Sequence, residues 1–164
     1  MINIIKTIWY KIFNYERLIH KVLEYRLTYL SFGALKLLKN SVKHIEKNKI
    51  KGIIVETGCA LGGSSILIGK LKKKTRTFKV FDSFEMMPEP SNNDENDIHD
   101  RFQVIKEGKS KGIGDDLYYG YEKDLLSKVK ENFILFNINP NKSNIAFIKG
   151  YYEDSLKLNE AVAF

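Results

Sequence analysis

"GIIVETGCALGGSS", residues 52–65, runs from a β-branched apolar stretch through one acid into glycines and small residues at close spacing. A continuous apolar run suits a parallel strand covered on both faces. "IIVE", 53–56, is read as that strand and "TGCALGG" as a turn. "SSILIGKLKKK" is read as a helix, with hydroxyls at its start and lysines at its end to suit the helix dipole. A strand, a glycine turn and a helix in this order commonly cradle part of a nucleotide.

Spacing narrows the choice. The dinucleotide pattern G-x-G-x-x-G fails, because Gly58 is followed by Cys59, Ala60 and Leu61 before Gly62. The phosphate-loop ending G-K-[ST] fails as well, since Gly69-Lys70 is followed by Leu71 and falls inside the helix. Acid-x-Gly-x-x-x-Gly fits Glu56, Gly58 and Gly62. An ordinary glycine-rich turn stays open beside it. Gly58 lets the chain turn sharply and leaves room for a ligand. S-adenosylmethionine carries a cationic sulfonium and no pyrophosphate, so an acid such as Glu56 suits it better than it suits a dinucleotide. Asp82 ends the next strand, "TFKVFD" (77–82), 20 positions past Gly62. An acid there is placed to hold ribose hydroxyls, with a turn or cap role as the plainer reading.

Outward from this centre, residues 3–30 read as one amphipathic helix carrying Ile4, Ile8, Ile12, Tyr15, Ile19, Val22 and Leu23. A core-packing role is favoured over a membrane or partner surface. A second helix spans about Ser31 to Lys47, with Ser31 as cap, and "KNKIKG" breaks it. Between Ser83 and Gly120 periodicity is lost, so residues 85–120 read as a lid-like loop. "EKDLLSKVKENFILF" reads as a helix, "IAFIKG" (145–150) as a third strand, "YYEDSLKLNE" as a short turn and helix, and "AVAF" as the start of a fourth strand. Alternating strands and helices predict an α/β fold with a Rossmann-like, doubly wound parallel sheet. Residues 1–50 would be N-terminal helices and 51–164 the ligand-binding domain. A domain ending on an unpaired apolar strand is expected to be incomplete at its C-terminus, with an open edge that favours association between copies.

Composition sets bounds. The single cysteine, Cys59, allows no internal disulfide and suits a reducing cytoplasm. It is read as a small buried residue under the turn. The net charge of +7 comes from lysines spread along the chain, which favours solubility over an acidic partner. "LKKKTR" (71–76) has no interleaved aromatics, as single-strand nucleic-acid binding would want. No signal peptide and no membrane-length apolar run is visible. His20 and His44 fall on helices without metal-ligand neighbours, and His99 sits among acids in the lid, read as solvated.

"VETGCALGGSSI" followed by "VFDSFEMMPEP" resembles the macrocin O-methyltransferase family, whose members methylate sugar hydroxyls. "VKENF" (129–133) and "AFIKGYYEDSL" (146–156) extend the likeness, which covers roughly 30–164. The resemblance implies a class I, S-adenosylmethionine-dependent O-methyltransferase. Glu56, Gly58 and Gly62 would line the cofactor's methionine end, Asp82 would hold its ribose, with Ser83 and Phe84 beside it, and Ser64 would also belong to the cofactor site. Gly150, Tyr151, Tyr152 and Asp154 would lie by the adenine; Tyr151 stands where the family often has Trp. The family also implies a divalent cation, expected to be magnesium, and a base, the first bound and the second supplied by an Asp-rich segment after a strand like "AVAF". Their ligands would lie beyond Phe164, so no catalytic and no metal residue is assigned within the sequence. The expected acceptor is a small-molecule or glycan hydroxyl. A nucleic-acid methyltransferase and a truncated, non-catalytic product are the alternatives.

Overall fold

The computed structural model describes residues 15–164. Helix α1 is described over 15–24 and is followed by α2 (Phe32–Lys47), β1 (Ile54–Thr57), α3 (Gly63–Leu71), β2 (Phe78–Asp82), α4 (Asn96–Lys106), α5 (Leu125–Leu135), β3 (Ile145–Lys149) and α6 (Tyr152–Ser155). Residues 3–14 of the expected first helix lie outside the described part.

The strands pair in parallel in the order β1-β2-β3, with Ile54 opposite Phe78 and Phe78 opposite Ile145. Residues 161–164 run along the other edge of β1. Ile53 N–H donates to the Ala161 carbonyl at 2.9 Å, Ala163 N–H to Ile53 at 2.8 Å and Val55 N–H to Phe164 at 2.8 Å. This contact is a single parallel bridge, Ile53 with Val162. In chain order the sheet builds outward from β1 to β3 and then returns to the far side of β1. Ligands of open α/β sheets bind outside the carboxyl ends of the strands at such a reversal.

Alternation on the strands sends Ile54, Phe78, Val80 and Ile145 into the main core. There they meet Ile66 and Leu67 of α3, Val129 and Phe133 of α5, and Ile19, Val22, Leu35 and Val42 of α1 and α2. The N-terminal helices therefore share the core of the sheet. The opposite face, with Val55, Lys79 and Ala146 in register, is only partly covered by the described residues.

Helix ends show why two sequence expectations need correcting. The first helix stops at residue 24, not 30, because Arg26 takes a left-handed conformation (φ 53°). Arg26 N–H then bonds the Leu23 carbonyl and Leu27 N–H the Val22 carbonyl. This paired closure, with Leu27 packed at the end, is the usual left-handed stop, ordinarily made by glycine. Lys49 ends α2 and Asn137 ends α5 in the same way. The second correction is α4, which lies inside the stretch read as loop. Only Phe102 and Ile105 of α4 are buried, too few apolar positions to show a period in the sequence. Among the described helices none is long and apolar enough to cross a membrane.

Candidate functional site

The carboxyl ends of β1, β2 and β3 are tied into one platform by backbone bonds. Gly58 N–H donates to the Phe81 carbonyl at 2.8 Å, and Gly150 N–H to the Asp82 carbonyl at 3.1 Å. Asp82, buried at the tip of β2, completes the platform with its side chain. One carboxylate oxygen accepts from Cys59 N–H at 2.7 Å and the other from Phe84 N–H at 2.8 Å. The acid thereby clasps the glycine turn to the loop after β2. Each carboxylate oxygen keeps a second lone pair, so Asp82 can still accept from a ligand.

The turn is held from every side. Gly62 opens α3 at φ +87°, where a side chain would be strained. Behind it, Asn132 Nδ2 on α5 donates to the Leu61 carbonyl at 2.9 Å. Gly63 N–H donates to the Leu27 carbonyl at 2.9 Å, so the loop after α1 caps α3. Ala60 (φ 47°) and Phe84 (φ 50°) are left-handed without being glycine. Such backbone costs roughly 1–2 kcal/mol per residue and collects at working sites.

A cavity of about 510 Å³ opens over this platform, within the range of small-molecule sites. Its floor is Gly58, Asp82, Ser83 and Gly150–Glu153; its far wall is Arg101 and Ile105 of α4 with Tyr118, Tyr119 and Tyr29. A shallower pocket adjoins it through Ser83, Glu85, Gly150 and Tyr151 and reaches Asp154. The structure thus gathers Gly58, Asp82, Ser83, Gly150, Tyr151 and Asp154 from the sequence candidates into one region.

The other candidates stand behind this surface. Glu56 accepts from the Ser65 hydroxyl, and it faces the start of α3 instead of the cavity lining. Burial raises its carboxyl above the ordinary range, and the Ser64 and Ser65 hydroxyls pull the other way. Ser64 is buried with them, Gly62 packs under Val129 and Phe133, and the Phe84 ring lies in the core edge-on to Phe147. Burial, with Asp82 and Glu56 nearby, drives the Cys59 thiol far up, so it stays protonated. Burial and a bond with Tyr118 likewise raise the Tyr119 hydroxyl, which keeps its proton at neutral pH.

Sequence reading missed Tyr29, Arg101, Tyr118 and Tyr119. Tyr29 was hidden in an overlong helix and Arg101 in a helix not foreseen. The tyrosines of "LYYGY" (117–121) were a visible cluster without a periodic frame to place them. Among the described residues, no group of three or more His, Cys, Asp or Glu side chains is arranged to hold a metal ion.

Comparison with known proteins fits this geometry. No curated protein sequence matches the chain. The O-methyltransferase NovP shares its fold, with a TM-score of 0.60 at 20% identity over 81% of this chain. The calicheamicin methyltransferase CalS11 overlaps with a TM-score of 0.49 at 12% identity, covering 79% of this chain and 48% of its own. The chain spans about half of NovP, 51% of that protein's length. The macrocin-O-methyltransferase (TylF) family model matches residues 26–162, from the left-handed Arg26 to the bridge at Val162, and so takes in every wall of the cavity. With nearly its whole described length matched, the chain belongs to the macrocin-O-methyltransferase (TylF) family.

Proposed function

We propose that this domain binds S-adenosylmethionine at the sheet's reversal point and serves transfer of its methyl group to a hydroxyl of a sugar or glycoside. The Asp82 clasp carries the reading. It places a buried carboxylate, with spare lone pairs, beside a glycine turn open enough for a ligand's backbone-side approach. Family membership and the methyltransferase fold support it.

When bound, the cofactor supplies an electrophilic methyl on a cationic sulfur. In this reading Gly58 leaves room for the amino-acid end, and Asp82 accepts from the ribose hydroxyls. Ser83, Gly150, Tyr151 and Asp154 surround the base, where a tyrosine ring can stack. Glu56, with Ser64, Ser65 and Gly62, holds the turn in shape from behind and touches the cofactor only indirectly. Residues 85–120, with α4 inside them, cover the acceptor and exclude water. Methyl transfer needs the attacking oxygen close and in line, so these residues contribute chiefly by positioning. One buried cysteine suits work in a reducing cytoplasm.

Titration calorimetry with S-adenosylhomocysteine tests the reading. Wild-type protein is expected to bind one equivalent. Ser83→Trp, which fills the cavity from a half-buried loop position, is expected to bind none while melting as the wild type does. Folded wild-type protein that gives no binding heat would overturn the reading.

A further inference from the structure

The far wall of the cavity holds one arginine and three tyrosines that the cofactor contacts leave unused. Arg101 is aimed by a chain of bonds. Its Nη2 donates to Ser110 Oγ at 2.8 Å, and its guanidinium carbon stands 5.6 Å from the Tyr118 ring centre. Ser110 N–H in turn donates to the Tyr121 hydroxyl oxygen at 3.1 Å, and that hydroxyl donates to the Ile105 carbonyl at 2.7 Å. The guanidinium is therefore set by α4 and the tyrosine segment together.

What it lacks is an acid. Arg26 pairs with Asp116 at 2.9 Å, and Arg76 with Glu46 at 2.5 Å. Among the described residues no carboxylate comes within 4.0 Å of Arg101. The three acids lining the cavity, Asp82, Glu85 and Glu153, all stand more than 4.0 Å from it. Glu85 is paired with Lys149 at 2.7 Å, and Asp82 is engaged by two backbone N–H groups. A guanidinium offers five donors in a planar fork suited to carboxylate or phosphate. Beside it, Tyr118 and Tyr119 are 4.6 Å apart and Tyr29 meets Tyr119 edge-on at 6.0 Å, giving an aromatic surface next to the cation.

We infer that this wall is the acceptor subsite and that it selects an anionic glycoside. Arg101 pairs with a carboxylate or phosphate on the acceptor, while Tyr29 and Tyr119 pack on its flat sugar or aryl face and the buried Tyr118 backs the guanidinium. The inference rests on the methyltransferase reading and adds the charge of the acceptor to it. Arg101 would be a specificity-determining residue. The competing role for Arg101 is to hold the carboxylate of the cofactor's amino-acid end.

Matched probe pairs separate these outcomes. 4-Nitrophenyl glucuronide and 4-nitrophenyl glucoside differ at one carboxylate; glucose 6-phosphate and glucose differ at one phosphate. Binding of each is measured by calorimetry with and without S-adenosylhomocysteine. Wild-type protein should bind at least one charged probe about fivefold more tightly than its neutral partner, a modest gain for a charge-assisted fork in a partly solvated cleft. The pair that responds identifies the anion. Arg101→Gln, with unchanged melting, should abolish the preference and leave S-adenosylhomocysteine affinity within about twofold; Arg101→Lys should restore only part of the preference. Equal binding of charged and neutral probes to the wild type would overturn the inference. So would an Arg101→Gln variant that loses S-adenosylhomocysteine affinity but keeps its glycoside preference. A charge preference without any cofactor binding would count against the methyltransferase reading and leave the anionic subsite standing.

Discussion

Replacing Asp82 by asparagine should cost more stability than its small change in shape suggests. In the native protein both carboxylate oxygens are occupied, one by Cys59 N–H at 2.7 Å and one by Phe84 N–H at 2.8 Å, in a buried setting. An asparagine amide offers one oxygen and one NH2, so one backbone N–H must face a donor. Leaving a buried N–H unmet costs about 1–3 kcal/mol, and turning the surviving bond from ionic to neutral costs about 1 kcal/mol more. The sum is roughly 2–4 kcal/mol, and at about 2–4 °C per kcal/mol for a chain of this size the melting temperature should fall by roughly 4–16 °C. Asp82→Ala should fall at least as far, since both N–H groups lose their partner. Thermal unfolding followed by circular dichroism, at fixed protein concentration and without cofactor, reads this directly. An Asp82→Asn variant melting within about 1 °C of wild type would refute the clasp, because a loss of even 1 kcal/mol would exceed that.

Other perturbations probe separate parts of the structure. Gly63→Ala would place a methyl group 2.6 Å from the Leu27 carbonyl oxygen, a backbone atom, so urea unfolding should show a loss of about 1–3 kcal/mol. Glu56 is raised above its ordinary value of 4.5, so the folded state holds a proton that the unfolded chain has released. Its contribution to stability therefore falls as pH rises from that value toward the higher folded one. Glu56→Gln should flatten this part of the urea-midpoint profile between acid and neutral pH; an unchanged slope would count against the assignment. Arg76 binds Glu46 and the carbonyls of Gly52 (2.6 Å) and Ile50 (2.8 Å), joining α2 to the loop before β2. Arg76→Ala should cost about 1–3 kcal/mol, because Glu46 keeps only Lys73, through its N–H at 3.3 Å and its ammonium at 4.0 Å, and Arg76→Lys should recover little of it, because it cannot reproduce the fork.

The sequence carried those parts of the fold whose side chains repeat or whose backbone demands a special residue. The run Ile53–Val55, the glycine turn and Asp82 could be read directly, because a buried strand and a left-handed turn leave few residue choices. The end of α1 could not, since Arg26 makes a stop that glycine usually makes. Helix α4 was hidden because its buried face amounts to Phe102 and Ile105. The site divides along the same line. The floor of the cavity comes from strand ends that a strand-and-turn pattern marks, whereas its far wall comes from Tyr29, Arg101, Tyr118 and Tyr119. These reach the cavity only once the loop after α1 and helix α4 within residues 85–120 are folded. Glu56 shows the limit within the motif itself. Spacing identifies an acid before the glycines, but only packing shows its carboxylate accepting from Ser65 at the start of α3.

The central claim, that the sheet's reversal point is a cofactor site, is tested most directly by hydrogen–deuterium exchange with and without S-adenosylhomocysteine. The account predicts slowed exchange in three separate segments at once, Gly58–Gly62, Ser83–Glu85 and Gly150–Asp154, with the sheet interior unchanged. No protection, or protection confined to residues away from these three turns, would contradict it.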